Sequence, residues 1–198
     1  MPPRIPNLEE LLLVKAAELI ATRGPDALSL RELGRRAGVS RAAPYHYFTD
    51  KAELVARVGA LGFRRLGERI AAHVDPAADA FAQLRAGLLA YIDFARDEGH
   101  FFQLMFSGAL QRELSEESRF AFSSGAARET FGVLLHAVED AQARGVMKQE
   151  DPLLVVNVFW AYTHGVAVLA RGNHLKHEGG STAVFDAGFA ALVREYRN

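Results

Sequence analysis

The stretch from Val39 to Phe48 reads VSRAAPYHYF and sets an arginine, two tyrosines and a histidine around a proline. The chemistry these side chains offer is recognition. An arginine donates to guanine O6 and N7 together, for about 1–3 kcal/mol of discrimination, and the methyl of Ala42 or Ala43 suits the methyl of thymine. Tyr45 and Tyr47 flank polar His46, which makes a poor buried stripe, whereas Phe48 has the character of core. A second constellation lies far along the chain. Trp160 and His164 are four residues apart and share a helix face, so an indole and an imidazole either hold a ligand or pack against Phe131. Tyr91, Phe94, Phe102 and Met105 add large apolar groups of the kind that line helical pockets, with plain core as the competing reading for each.

Catalytic patterns are missing. His174 and His177 adjoin a glycine-rich loop without an ordered set of carboxylates, which is a poor metal site. No glycine-rich phosphate loop, nucleophile elbow or His-Glu-x-x-His pattern occurs. The expectation is no enzyme, no metal and no cofactor. The chain has 198 residues, 49% hydrophobic and 24% charged, a balance typical of one globular domain or two small ones. It contains no cysteine, which rules out disulfides and thiolate zinc sites. No apolar run approaches the roughly 20 residues of a membrane span and no secretion signal is evident, so the expectation is a cytoplasmic protein without a membrane partner.

Those side chains need elements to position them, and the punctuation is helical throughout. Leu13, Ala16, Ala17 and Ile20 recur at helical spacing before Gly24-Pro25 stops a first helix. Ser29-Leu30-Arg31-Glu32 has the form of a capping box opening a short second helix that ends at Gly38. Ser40 caps a third. With Arg41 or Ala42 as its first residue, Pro44 falls in the first turn, where the missing N–H costs little, and the burden falls on Ala43, which is pushed away from helical dihedrals. That predicts a late or distorted start. Asp50 and Glu53 repeat the box and open a fourth helix running to about His73. Further helices are expected near 77–97, 100–113, 117–144, 152–171 and 182–196, with Asp75-Pro76 and Asp151-Pro152 each placing a cap before an N-terminal proline. The expected fold is all-α, about nine helices, with no strand.

Helix, capped short helix, glycine turn and second short helix are the parts of a helix-turn-helix, whose second helix enters the major groove of DNA. Charge supports that use. The whole chain carries a formal net charge of -1. Between Leu28 and Arg69, however, nine basic residues (Arg31, Arg35, Arg36, Arg41, Lys51, Arg57, Arg64, Arg65, Arg69) face four acidic ones (Glu32, Asp50, Glu53, Glu68), an excess of five. Phosphate binding needs such a local field. Arg35 and Arg36 fit a solvated helix face as well as a phosphate contact.

From Leu13 to Val58 the motifs Ala16-Ala17, Ser29 to Leu33, Ala37-Gly38-Val39-Ser40, Tyr45-His46-Tyr47-Phe48 and Lys51-Ala52-Glu53-Leu54 resemble the DNA-binding domain of TetR-family transcriptional regulators. Phe159 to Gly165 further resembles the Trp-His-Gly signature of one subgroup of their C-terminal domains. Pro44 departs from the family, which usually has leucine or another apolar residue there. The resemblance implies a three-helix DNA-binding domain over 1–53 and a helical effector-binding and dimerisation domain over 54–198, joined by the linking fourth helix. It implies a recognition helix, with Ser40 at its cap among the DNA-binding residues, in which Arg41, Ala42 and Ala43 face base edges, Tyr45 and Tyr47 press on phosphates or bases, and His46 lies at the surface of the groove. Ser29, Arg31 and Lys51 would touch the backbone. It implies a homodimer on a palindromic operator in double-stranded DNA, most simply a repressor released by a small-molecule effector. Tyr91, Phe94, Phe102, Met105, Phe131, Trp160 and His164 are the pocket candidates. Helix 152–171 and the last helix, with Ala183, Phe185, Phe189, Leu192 and Val193, are candidates for the dimer interface. A helical carrier or enzyme without DNA function is the alternative reading.

Overall fold

Asn7 opens the first helix, its side chain accepting from the Glu10 N–H at 3.2 Å, and Gly24 at φ +80° closes it by donating to Ile20 O at 2.8 Å. The computed structural model describes residues 7–106, 108 and 116–198, without the side chains of Pro25 and 116–129. Among them stand eight α-helices and no strand: α1 (Leu8–Arg23), α2 (Leu30–Arg36), α3 (Lys51–His73), α4 (Ala80–Asp97), α5 (Gly99–Phe106), α6 (Glu116–Ala143), α7 (Pro152–Arg171) and α8 (Gly180–Tyr196). The fold is all-α, as the periodicity predicts.

The departures have local causes. The expected third α-helix is a single 3-10 turn, Ala43–His46, which accounts for eight α-helices where about nine were expected. Pro44 sits in its first residues, so the segment starts late and distorted, but Ala43, expected to leave helical dihedrals, instead opens the turn, whose tighter 3-10 winding accommodates the proline. Neither expected capping box closes. Ser29 does accept from the Glu32 N–H at 3.2 Å, but the Glu32 carboxylate turns to Arg35 and Arg36. Asp50 likewise accepts from the Glu53 N–H at 2.8 Å, while Glu53 reaches the Thr49 N–H instead of Asp50. Asp75 and Pro76 make a turn, and Asp79 caps α4 by accepting from Phe81 N and Ala82 N. The helix expected over 100–113 is seen as α5, and its remaining expected residues lie outside the described set except Gly108. A helix of the length and composition of α7 also corrects the expectation about apolar runs. Its 20 residues contain a window of mean hydropathy 1.7, long and apolar enough to cross a membrane by those measures alone.

Two compact units emerge, Met1–Arg65 with Glu98–Ala127 and Leu66–Asp97 with Arg128–Asn198. In the first, α1 packs on α5 and α2 and buries Leu12, Leu13, Ala16, Ala17, Leu19 and Ile20, so each apolar position predicted for this helix is core. Arg65 on α3 ties Glu10 on α1 at 2.8 Å and lies over the Phe101 ring at 5.1 Å. In the second, α4, α7 and α8 pack together around Tyr91, Phe94, Phe159 and Phe185, all essentially inaccessible. A two-pronged Arg85–Asp186 pair, both contacts 2.9 Å, links α4 to α8. Phe185 and Phe189 stack on one another and pack against or near Phe159, so both are core of their own unit and neither is available to a partner. That corrects their expected interface role.

Gly34 governs the first unit's working end. Its carbonyl accepts from Val39 N at 3.0 Å, Gly38 turns the chain at φ +70°, and the backbone comes straight back across Gly34. A Cβ there would lie 2.8 Å from Ser40 O and 3.3 Å from both Arg41 Cα and Pro44 Cδ. Two of those neighbours are backbone and cannot step aside. Gly34→Val is therefore expected to destabilise the protein by about 1–3 kcal/mol, read as a lower midpoint in denaturant unfolding; an unchanged midpoint would show that the crossing relaxes freely.

Candidate nucleic-acid interface

The 3-10 turn presents its side chains unevenly. Pro44 is buried and Phe48 is 1% exposed, so these two anchor the segment, as the core assignment of Phe48 anticipates. Arg41, Ala42 and His46 are exposed and Tyr45 is 58% exposed, an outward group in which large apolar surface faces solvent. Ala43 and Tyr47 are half-buried. Ser40 accepts from the Ala43 N–H through its hydroxyl at 3.2 Å, which fixes its position and leaves the hydroxyl proton for an outside acceptor. Ser29 stands likewise at the start of α2, its oxygen accepting from Glu32 N.

Arg31 and Arg41 are exposed and make no hydrogen bond or ion pair among the described residues. Most other cations of the segment are engaged. Arg35 and Arg36 both bind Glu32, with contacts of 2.7 and 3.1 Å. The Arg35 hydrogen bond, followed by that of Arg36, holds the Glu32 carboxyl down to about 2. Arg57 pairs with Glu9, Arg65 with Glu10 and Glu98, and Arg69 with Asp97. A count along the sequence misses this, because Glu9, Glu10, Asp97 and Glu98 lie outside the basic stretch and meet it only through folding. Lys51 opens α3 and is half-buried. The resulting surface has two uncommitted guanidiniums, hydroxyls at the starts of two helical segments and an aromatic at the tip, a set that can bind phosphates and base edges.

Comparison with known proteins gives this geometry its context. Residues 12–58 match the family described as "Bacterial regulatory proteins, tetR family", and residues 84–192 match "Tetracyclin repressor-like, C-terminal domain". The chain belongs to the TetR family. Its members are DNA-binding transcriptional regulators, and the exposed turn lies inside the segment that carries the N-terminal match. Among curated relatives, the HTH-type transcriptional activator FasR of Mycolicibacterium smegmatis is 30% identical over 95 residues, 48% of this chain and 43% of FasR. This chain therefore covers less than half the length of that relative. A solved structure of a protein of unknown function from Rhodococcus sp. RHA1 is 29% identical over the whole of both chains with a TM-score of 0.84. The TetR-family regulator PfmR from Thermus thermophilus shares the fold at 22% identity, over 92% of this chain and 97% of that one, with a TM-score of 0.73.

The C-terminal part of a TetR-family regulator takes small-molecule effectors, and the second unit holds five of the expected pocket residues. Tyr91 and Phe94 are buried, while Phe131, Trp160 and His164 are half-buried. Phe131 contacts both Tyr91 and Trp160, with ring centroids 6.3 and 5.2 Å apart, and Trp160 lies 5.9 Å from His164. Thus the alternatives of ligand face and packing against Phe131 share one geometry. Phe102 and Met105 are buried on α5, in the first unit. A separate cavity of about 390 Å³ in the second unit is lined by Ile92, Arg96, Ala167, Ala170, Arg171 and Ser181, none of them singled out by sequence. No cluster of three or more metal-ligating side chains occurs among the described residues.

Tyr91 and His164 form the polar pair of this face. Burial pushes the tyrosine up and the imidazole below its ordinary 6.5, which favours the uncharged form of each, and the Tyr91 hydroxyl and His164 Nδ1 share a hydrogen bond of 2.7 Å. An imidazole that resists protonation when folded accepts a proton on unfolding, so its contribution is held above pH 6.5 and lost as the pH falls below that value. His164→Phe is expected to flatten the fall in melting temperature between about pH 7 and about pH 5. An equal fall in the variant would remove His164 from the groups that set acid stability.

Proposed function

We propose that the protein is a homodimeric, ligand-responsive repressor that binds a palindromic operator. In this reading residues 1–53 are the DNA-binding domain and 54–198 the effector-binding and dimerisation domain. The observation that carries the DNA contact is the outward group on the braced turn: Arg41, Ala42, Tyr45 and His46 exposed together, with the turn's apolar residues committed to core. Arg41 reads a base edge. Tyr45 and His46 lie at the groove, with Ala42, Ala43 and Tyr47 lining its wall, while Ser29, Arg31, Ser40 and Lys51 hold phosphates.

Dimerisation is supported by α7. Leu153 is 56% exposed, Leu154 52%, Val168 47% and Leu169 44%, and Ala161 on the same helix is exposed too. So much uncovered aliphatic surface on one helix is what a partner subunit covers, and Ala187, Ala190 and Ala191 give α8 exposed small residues for close approach. The same cover explains a hydropathic helix without a membrane, and a cytoplasmic location follows. Two recognition turns about 34 Å apart would then reach successive major grooves.

The effector would bind against Tyr91, Phe94, Phe131, Trp160 and His164 in the second unit. The Trp160 and His164 pair also supports assignment to the Trp-His-Gly subgroup. Release works by population shift: the effector must bind more tightly to the conformation that DNA does not accept. The carrier of that shift is α3, which runs without interruption from one compact unit into the other. A carrier or enzyme without DNA function would need none of the outward group.

Selection of the purified protein against random duplex DNA is expected to enrich a two-fold symmetric site. Arg41→Ala should lose about tenfold affinity and relax the preference at one base pair per half-site, whereas Arg31→Ala should weaken all sequences alike and lower the salt slope by about 0.9 per phosphate lost. Failure to enrich any site would move the carrier reading to the front. With an operator in hand, a promoter reporter decides between repression and the activation named for the relative FasR. Trp160 is the chain's one tryptophan, so an effector screened by its fluorescence should shift the emission and release the operator together; a shift without release would make the pocket unconnected to DNA.

A further inference from the structure

Arg57 is one of the nine cations counted as field, yet its geometry is that of a clamp. It stands on α3 and donates from Nη1 to the carbonyl of Tyr47 at 2.9 Å. Tyr47 is the residue that closes the 3-10 turn, donating its own N–H to Pro44 O at 3.0 Å. Nη2 of the same guanidinium binds Glu9 on α1, and the plane lies over the Phe48 ring at 5.2 Å. One turn earlier on α3, Glu53 is 3.7 Å from Arg57 and accepts from both the N–H and the hydroxyl of Thr49, at 2.8 and 2.7 Å. Two side chains of one helix thus hold the carbonyl before Phe48 and the amide after it.

We propose that Arg57 is a positioning residue that holds the recognition turn to α3 and α1, setting the angle at which Tyr45 and His46 are presented, without itself touching DNA. This rests on the DNA-binding reading above. A four-residue turn has too few internal bonds to hold an angle alone. The guanidinium supplies the fork that a single ammonium lacks: one arm for a carbonyl, one for a carboxylate, and a flat face for the ring. Because α3 is also the linking helix, the clamp gives any displacement of α3 a direct grip on the Tyr47 carbonyl that follows the turn.

The test compares Arg57→Gln and Arg57→Lys with the full-length protein. Loss of a hydrogen bond to a charged group predicts about tenfold weaker operator binding for both variants. The slope of log affinity against log salt should match the wild type. A phosphate contact would instead lower the slope by about 0.9 in the glutamine variant and be rescued by lysine; that outcome overturns the proposal. Hydrogen exchange of the free protein gives a second readout that needs no DNA. The Tyr47 and Phe48 amides, both bonded to Pro44 O, should exchange about tenfold faster in either variant while α1 is unaltered. Unchanged exchange there sinks the clamp even if operator binding is lost. Should the wild type bind no DNA, the repressor reading falls and the exchange result still decides whether the clamp exists.

Discussion

A recognition segment made of one 3-10 turn cannot stabilise itself, and the rest of the first unit is arranged around that deficit. Nucleating helical structure orders several residues for each hydrogen bond gained, and a segment this short persists only when neighbours hold it. The close approach at Gly34 supplies the first hold. With no side chain on Gly34, the backbone of Ser40 and Arg41 and the ring of Pro44 press directly on α2. Pro44 then serves packing as well as backbone geometry: its ring is buried against the crossing, and its carbonyl accepts from both Tyr47 and Phe48. α3 supplies the second hold, from the far end of the turn. Entry and exit are braced by different helices, and the side chains of Arg41, Ala42, Tyr45 and His46 are exposed between them.

Charge in this unit is organised by that bracing rather than spread as a uniform basic coat. Arg57 and Arg65 reach back to Glu9 and Glu10 on α1, joining the helix that closes the core to the one that leaves it. Glu32 gathers Arg35 and Arg36 along the flank of α2. Exposed pairs of this kind contribute little stability each. Their larger effect is on the field, since a guanidinium facing a carboxylate attracts phosphate less than a bare one does. Among the described residues Arg31 and Arg41 remain unpaired, one on each side of the tight turn at Gly38.

In the second unit apolar surface is divided between two uses on a single helix. One face of α7 is sealed against α4 and α8 through Val155, Val156, Phe159, Val166 and Ala167. The other leaves Leu153, Leu154, Val168 and Leu169 in solvent. The helix is thus apolar along its length while only 33% of its apolar window is buried.

By itself the sequence determined most of the helices and several of their ends, because capping and breaking are local: Ser29, Gly24, Gly38 and Asp151 act on backbone groups within a few residues. It also determined the motif order from Leu13 to Val58, and with it the family. Local reading failed where a local group found a distant or competing partner. Glu32 and Glu53 left their expected caps for Arg35, Arg36 and Thr49, and the basic excess was reduced by acids outside its window. Only the tertiary structure decided that Phe185 and Phe189 face inward and that Arg57 holds the Tyr47 carbonyl at the end of the 3-10 turn. Hydropathy records how apolar a residue is, but the direction in which it points depends on the neighbours that fold against it, and those lie far away along the chain, as Arg85 and Asp186 do at a separation of 101 residues.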